Sequence, residues 1–285
     1  MTLPPVPRPE PLPRPVVDSH CHLDIDRSED EPALPLADAL AEAAAVNVTE
    51  VVHVGCDLAA ARQAVAWARE NPQVHAAVSL HPTEAAVLAA SGADALPAAL
   101  DTIADLARDP AVVAVGETGL DHYWTPDPEG RAAQEISFRA HIRMARRLGK
   151  TLVIHDRDAH SDVIRVLEDE GPPPRVVFHC FSGDAAMARH CVRSGWFVSL
   201  AGPLTFRNAE PLRQAAAAAV EEGGLSHVLV ETDAPYLTPH PHRGRANAPA
   251  LLPLTVRMLA EVAGRPLEEV CDATRDATHR AFALT

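Results

Sequence analysis

From Val16 onward the chain alternates short apolar runs with longer amphipathic stretches. The runs fall at 16–21, 50–55, 74–80, 111–116, 150–154, 175–179, 196–200 and 227–231, and each is rich in Val, Leu, Ile or Ala. Unbroken apolarity, rather than strict alternation, marks strands covered on both faces, as in parallel sheets. Segments 36–47, 59–71, 130–149 and 208–223 carry apolar residues at helical spacing, and 251–264 and 266–284 add two helices after the last run. Strands separated by helices predict a parallel α/β sheet. Eight repeats in roughly 270 residues match the count and size of a closed (β/α)8 TIM barrel. An open doubly wound sheet is the alternative, but no GxGxxG follows the first run. No second domain is visible in 16–285. Residues 1–15 carry Pro at 4, 5, 7, 9, 11, 13 and 15, which predicts a disordered, extended tail.

Six potential metal ligands stand where these runs turn polar: His20 and His22 in VVDSHCHLD, Glu117 in AVVAVGETGLD, His155 in TLVIHDRD, His179 in RVVFHCFSG and Asp233 in HVLVETDAPYL. Parallel strands finishing at one face would gather them from across the sequence. Period two places His20 and His22 on one side of the first strand, with Cys21 on the other. Asp18 shares their parity and is expected to orient a histidine. A carboxylate closing a buried strand, as Glu117 does, requires a cation. In a closed barrel strand eight neighbours strand one, which brings Asp233 to the two histidines. The expected arrangement is two divalent ions, one on His20, His22, Glu117 and Asp233, the other on Glu117, His155 and His179, with Glu117 bridging. Such a pair polarises a scissile centre and activates a water, which Asp233 would orient and deprotonate. Imidazole with carboxylate suits Zn2+, Mn2+, Fe2+ or Co2+ better than Mg2+, which the acids still allow. Lys150 is the only lysine and starts strand five at the opposite rim, so neither a carboxylated-lysine bridge nor a Schiff base is available.

Charge narrows the substrate. A formal net charge of −14 disfavours a long footprint on duplex nucleic acid, whose binding draws on a basic surface. A phosphate would have to be held locally, by metal and a few arginines. Arg157, two residues past His155, is the favoured candidate, with Arg207, Arg243 and Arg245 in later loops. His81 in SLHP would contact substrate or protonate a leaving group. Tyr123 and Trp124 would stack on a base or shield the pocket, and Phe181 and Tyr236 would wall it. Five Cys without a CxxC pair suggest reduced thiols. With no signal-peptide pattern and no run of about 18 apolar residues, a cytoplasmic monomer away from membranes is expected.

The motifs DSHCHLD, GETGLDHYW, IHDRDA, HCFSG and ETDAPYL, in this order and spacing, resemble those of the TatD family of metal-dependent hydrolases. The resemblance runs from about residue 16 to 284 and takes in SLHP (79–82) and the terminal TRDATHRAFAL. It implies a TIM barrel, a divalent-metal site at the six residues above, and deoxyribonuclease activity, typically exonucleolytic from the 3′ end. Thr278, Ala281 and Ala246 depart from the family's usual pattern, none at a ligand position. Three functions follow as expectations. The first is a phosphodiesterase acting on nucleic-acid ends. The second is an ester or amide hydrolase, such as an aminoacyl-tRNA deacylase. The third is a non-catalytic scaffold.

Overall fold

Aspartate caps fix the starts of three helices in this chain. In the computed structural model, which describes residues 6–26 and 32–284, the longest helix is α5 (Pro128–Leu148). Asp127 caps it by accepting from Gly130 N, Pro128 opens it, and Gly149 closes it in the left-handed conformation. Asp57 and Asp184 do the same for α2 (Leu58–Glu70) and α7 (Ala185–Arg193). The remaining helices are α1 (Leu36–Ala44), α3 (Pro82–Ser91), α4 (Ala95–Leu106), α6 (His160–Glu170), α8 (Glu210–Gly223), α9 (Leu252–Ala263) and α10 (Leu267–Phe282). The strands are β1 (Val16–Cys21), β2 (Val48–Gly55), β3 (Val74–Val78), β4 (Val112–Asp121), β5 (Thr151–Arg157), β6 (Val176–Phe178), β7 (Phe197–Leu200) and β8 (Val228–Val230). They follow one another in one sheet in sequence order, β1 to β8, the topology of a (β/α)8 TIM barrel. The chain divides into two compact units, one holding the residues up to Val52 with Gly183–Arg280, the other His53–Ser182 with the residues from Ala281.

In the first unit β7 and β8 pair in parallel, Val198 with Val228 and Leu200 with Val230. The segment after β8 returns to β1: Asp233 N donates to His20 O at 2.9 Å and His22 N to Ala234 O at 2.8 Å. Strand eight therefore meets strand one, as barrel closure requires. Buried Asp18 ties the same seam, accepting from Thr232 N (2.9 Å), Thr232 Oγ1 (2.5 Å) and His20 N (3.3 Å). These bonds tie Asp18 to Thr232 and to the His20 backbone rather than to a histidine ring, which corrects the expected role.

The Pro-rich segment is also a correction. Residues 6–15 are not loose: Leu12 is buried, Leu12 N donates to Val46 O (3.2 Å), and Asn47 Nδ2 donates to Leu12 O (2.5 Å). Arg8 pairs with Glu42 at 2.6 Å, and Arg257 donates to the carbonyls of Glu10 and Pro11 at 3.1 Å. Proline lacks the N–H but keeps its carbonyl, so the segment accepts bonds and sinks its one leucine. Residues 1–5 of the expected tail lie outside the described residues.

In the second unit β3, β4, β5 and β6 pair in parallel. Strand β4 runs on to Asp121, five residues beyond the apolar run that announces it. Two glycines permit this. At Gly116 (φ 149°) an added Cβ would lie 2.5 Å from Val153 Cβ, and at Gly119 (φ 144°) 2.1 Å from His155 O. Only glycine lets β4 and β5 approach so closely. At the other end Lys150 Nζ donates to Asp109 O (2.7 Å) and Val112 O (2.5 Å), anchoring the start of β4 far from its polar end.

Candidate metal centre

The polar half of β4 reads Glu117, Gly119, Asp121 at period two, so both carboxylates share a face. His155, on the neighbouring β5, lies between them: its Nδ1 is 3.2 Å from Glu117 Oε2 and its Nε2 2.9 Å from Asp121 Oδ2. His179, one residue past β6, brings Nε2 to 2.6 Å from Glu117 Oε2 and 3.5 Å from His155 Nδ1. Glu117, His155 and His179 thus aim three donor atoms at a common point, as a metal ion's ligands do. Burial lowers the His155 pKa, but bonding to Asp121 and Glu117 outweighs that and raises it. Burial likewise raises Asp121, while His155 and Trp124 N outweigh it and hold the carboxyl below its ordinary range. Cys56 donates its thiol to Glu117 Oε1 at 3.3 Å.

Asp121 was not among the expected site residues. Its signal is the same parity that marks His20 and His22, obscured because the apolar run ends at Gly116. A second unforeseen residue, buried Gln134 of α5, clamps the Asp121 backbone: Oε1 accepts from Asp121 N (2.9 Å) and Nε2 donates to Asp121 O (3.2 Å).

The first unit holds the other three expected ligands. His20 and His22 present Nε2 atoms 3.3 Å apart, and Asp233 Oδ1 lies 3.8 and 3.6 Å from them. Two imidazoles on one tetrahedral ion would show ~3.3 Å between nitrogens for bonds of ~2.05 Å. The donor set fits a metal. Asp233 lies three residues beyond β8, in the left-handed region (φ 56°) that Asp tolerates better than most. Buried Asn247 fixes that turn, donating from Nδ2 to Thr232 O (2.8 Å) and Tyr236 O (2.7 Å).

The expected rim residues of the second unit cluster with Asp121 and His155. The exposed Arg157 guanidinium sits 4.2 Å over the Tyr123 ring and 5.6 Å from that of Trp124. Trp124 N donates to Asp121 Oδ1 at 2.8 Å, and the two exposed aromatic rings form a T-shaped pair. His81, three residues beyond β3, caps α3: its Nδ1 accepts from Thr83 N at 3.2 Å, and its ring stacks edgewise on His155 at 4.5 Å. Burial brings the His81 pKa down to about 4. In the first unit Tyr236 stands 51 % exposed beside the His22 ring, 6.2 Å between centroids.

Parallel strands bearing imidazole and carboxylate donors at their polar ends define a metal-dependent hydrolase of the (β/α)8 class. The chain belongs to the TatD family: the profile described as "TatD related DNase" matches residues 17–283. It is 48 % identical over 272 residues to an uncharacterized metal-dependent hydrolase TatD of Mycobacterium tuberculosis, covering 94 % of this chain and 98 % of that one. The uncharacterized metal-dependent hydrolase YcfH of Escherichia coli is 36 % identical over 94 % of this chain and 95 % of its own. Among solved structures the fold matches YjjV, a TatD homolog from Escherichia coli, with a TM-score of 0.81 at 24 % identity over 95 % of this chain and 98 % of that one. A TatD family hydrolase from Entamoeba histolytica matches with a TM-score of 0.76 at 17 % identity, over 96 % of this chain and all of the other. Among the described residues no helix is long and apolar enough to cross a membrane.

Proposed function

We propose that the protein is a divalent-metal-dependent phosphodiesterase that removes nucleotides from nucleic-acid ends, as a 3′-to-5′ deoxyribonuclease. The observation that carries this reading is the second-unit cluster. A metal-fitting trio is joined through Asp121 and Trp124 to an exposed arginine stacked on an aromatic ring, so groups suited to phosphate and base adjoin groups suited to hydrolysis. His20, His22 and Asp233 would hold one ion, and Glu117, His155 and His179 another. Bound divalent ions supply Lewis acidity toward a phosphoryl oxygen and lower the pKa of water. The imidazole content favours Zn2+ or Mn2+ over Mg2+.

The protein's own groups do the rest. Asp121 accepts from His155 Nε2–H, which leaves Nδ1 unprotonated and aimed at the ligand position. Asp233 orients the attacking water and takes its proton. Arg157 offers its planar fork to a phosphate oxygen, and Tyr123 beneath it presents a face to the terminal base. His81 acts as a neutral imidazole. With Nδ1 occupied by Thr83 N, it offers Nε2–H to the leaving oxygen as a hydrogen bond, not the charged acid that its sequence position suggests. All five cysteines are free thiols, in keeping with a cytoplasmic setting.

The test is a 3′-labelled DNA oligonucleotide with Mn2+-loaded protein. The expected result is release of mononucleotides from the 3′ end, reduced at least a hundredfold in Asp233→Asn. Deacylation of aminoacyl-tRNA without nucleotide release would overturn the reading and favour the ester hydrolase.

A further inference from the structure

Many arginines of this acidic chain are ion-paired. Arg139 pairs with Glu135, Asp169 and Glu170, Arg165 with Glu135 and Asp162, Arg189 with Glu221, and Arg193 with Glu222. Arg207 and Arg243 differ. Both are exposed, and among the described residues neither guanidinium has a carboxylate or hydrogen-bonding partner. Arg14, Arg147 and Arg157 also lack one, but Arg207 and Arg243 fall beside the same aromatic residue. Both involve Phe206. Arg243 lies 4.4 Å over its ring, and Arg207 follows it in the loop after β7.

Phe206 and Arg207 line an open surface depression of about 440 Å³ together with Met258, Glu261 and Val262 of α9. Arg213 of α8 donates to Leu204 O (2.9 Å) and Phe206 O (3.0 Å), which pins the loop, and His240 N donates to Thr205 Oγ1 at 2.7 Å. Gly202 lets the loop after β8 press in, since a Cβ there would lie 2.0 Å from Leu237 O.

We infer that this depression is a binding site for a nucleoside monophosphate group, its base against Phe206, Met258 and Val262 and its phosphate on Arg207 and Arg243. An aromatic ring beside apolar side chains suits a planar base. Free guanidiniums suit a phosphate, and Glu261 is placed to accept from an exocyclic amine while repelling an acidic peptide. The site deepens the proposed reading and rests on it for its substrate class. The group is either a second nucleotide of the bound strand or a released product.

The experiment uses metal-loaded protein, a phosphorothioate deoxyadenylate hexamer that resists hydrolysis, and free dAMP. The probes are titrated against wild type, Arg207→Ala/Arg243→Ala and Phe206→Ala, with thermal melting to verify folding. If the depression holds the strand, hexamer affinity falls at least tenfold in both variants. In the double variant the slope of log affinity against log salt also shrinks by about 1.4, two phosphates' worth. If it holds product, hexamer binding is unchanged, and dAMP stoichiometry falls from two per chain to one. No change with either probe overturns the site, as would equal loss of binding to an oligoglutamate peptide. Because no bond is cleaved, failure here leaves the hydrolysis assay standing, and failure of that assay leaves this site standing.

Discussion

His155 is held at both ring nitrogens, by Glu117 on one side and Asp121 on the other. Its tautomer, and so its readiness to ligate, depends on Asp121. Asp121→Asn should keep the fold yet weaken metal affinity about 10–100-fold, the usual effect of removing such a partner, as read by competition with a chelator. Unchanged affinity would contradict the role. His141 shows a different dependence on protonation. It is fully buried, accepts from Leu80 N at Nε2 (3.2 Å) and donates from Nδ1 to Ser137 O (2.8 Å), so it is neutral in the fold. Burial pushes its pKa from 6.5 to about 4. The unfolded chain therefore takes the proton first, and the stabilisation is complete above pH 6.5 and lost as pH falls toward 4. The melting temperature should decline through that window, and His141→Gln should flatten the decline; an equal slope in the variant would contradict it.

Strand β4 shows what an element can hide. Its apolar half, 112–116, was legible as a buried strand, whereas ETGLD resembled a loop because polar residues and glycine usually break strands. It remains strand because Gly116 and Gly119 let β5 approach, and because its polar side chains face donors instead of core. Asp121 was missed for that reason. Gly119→Ala would place a Cβ against His155 O in a conformation L-residues avoid, a backbone cost of about 1–3 kcal/mol before any clash. The expected outcome is a lowered denaturant midpoint together with weakened metal binding; full retention of both would show that the close approach is dispensable. The Pro-rich segment errs in the opposite direction. Proline spacing signalled disorder, while the single Leu12 that anchors residues 6–15 has no periodicity to announce it.

Across the whole molecule, the strand count and the topology were readable, because continuous apolar runs are local signals, and the polar ends of those runs marked side chains that the structure gathers into His–carboxylate clusters. The contacts that aim the donors were not readable. Gln134 on the Asp121 backbone, Asn247 on the Asp233 turn and Asp18 on Thr232 act at sequence separations of 13, 15 and 214 residues. Nor were the unpaired arginines, since pairing depends on which helices lie side by side. The central claim is that two donor sets, His20–His22–Asp233 and Glu117–His155–His179, each hold an ion. The most direct measurement is metal content by mass spectrometry after loading with Mn2+ or Zn2+ and removal of free metal. Two equivalents per chain are expected, one in His22→Ala and one in His179→Ala. A single equivalent in the native protein, lost entirely in either variant, would contradict it.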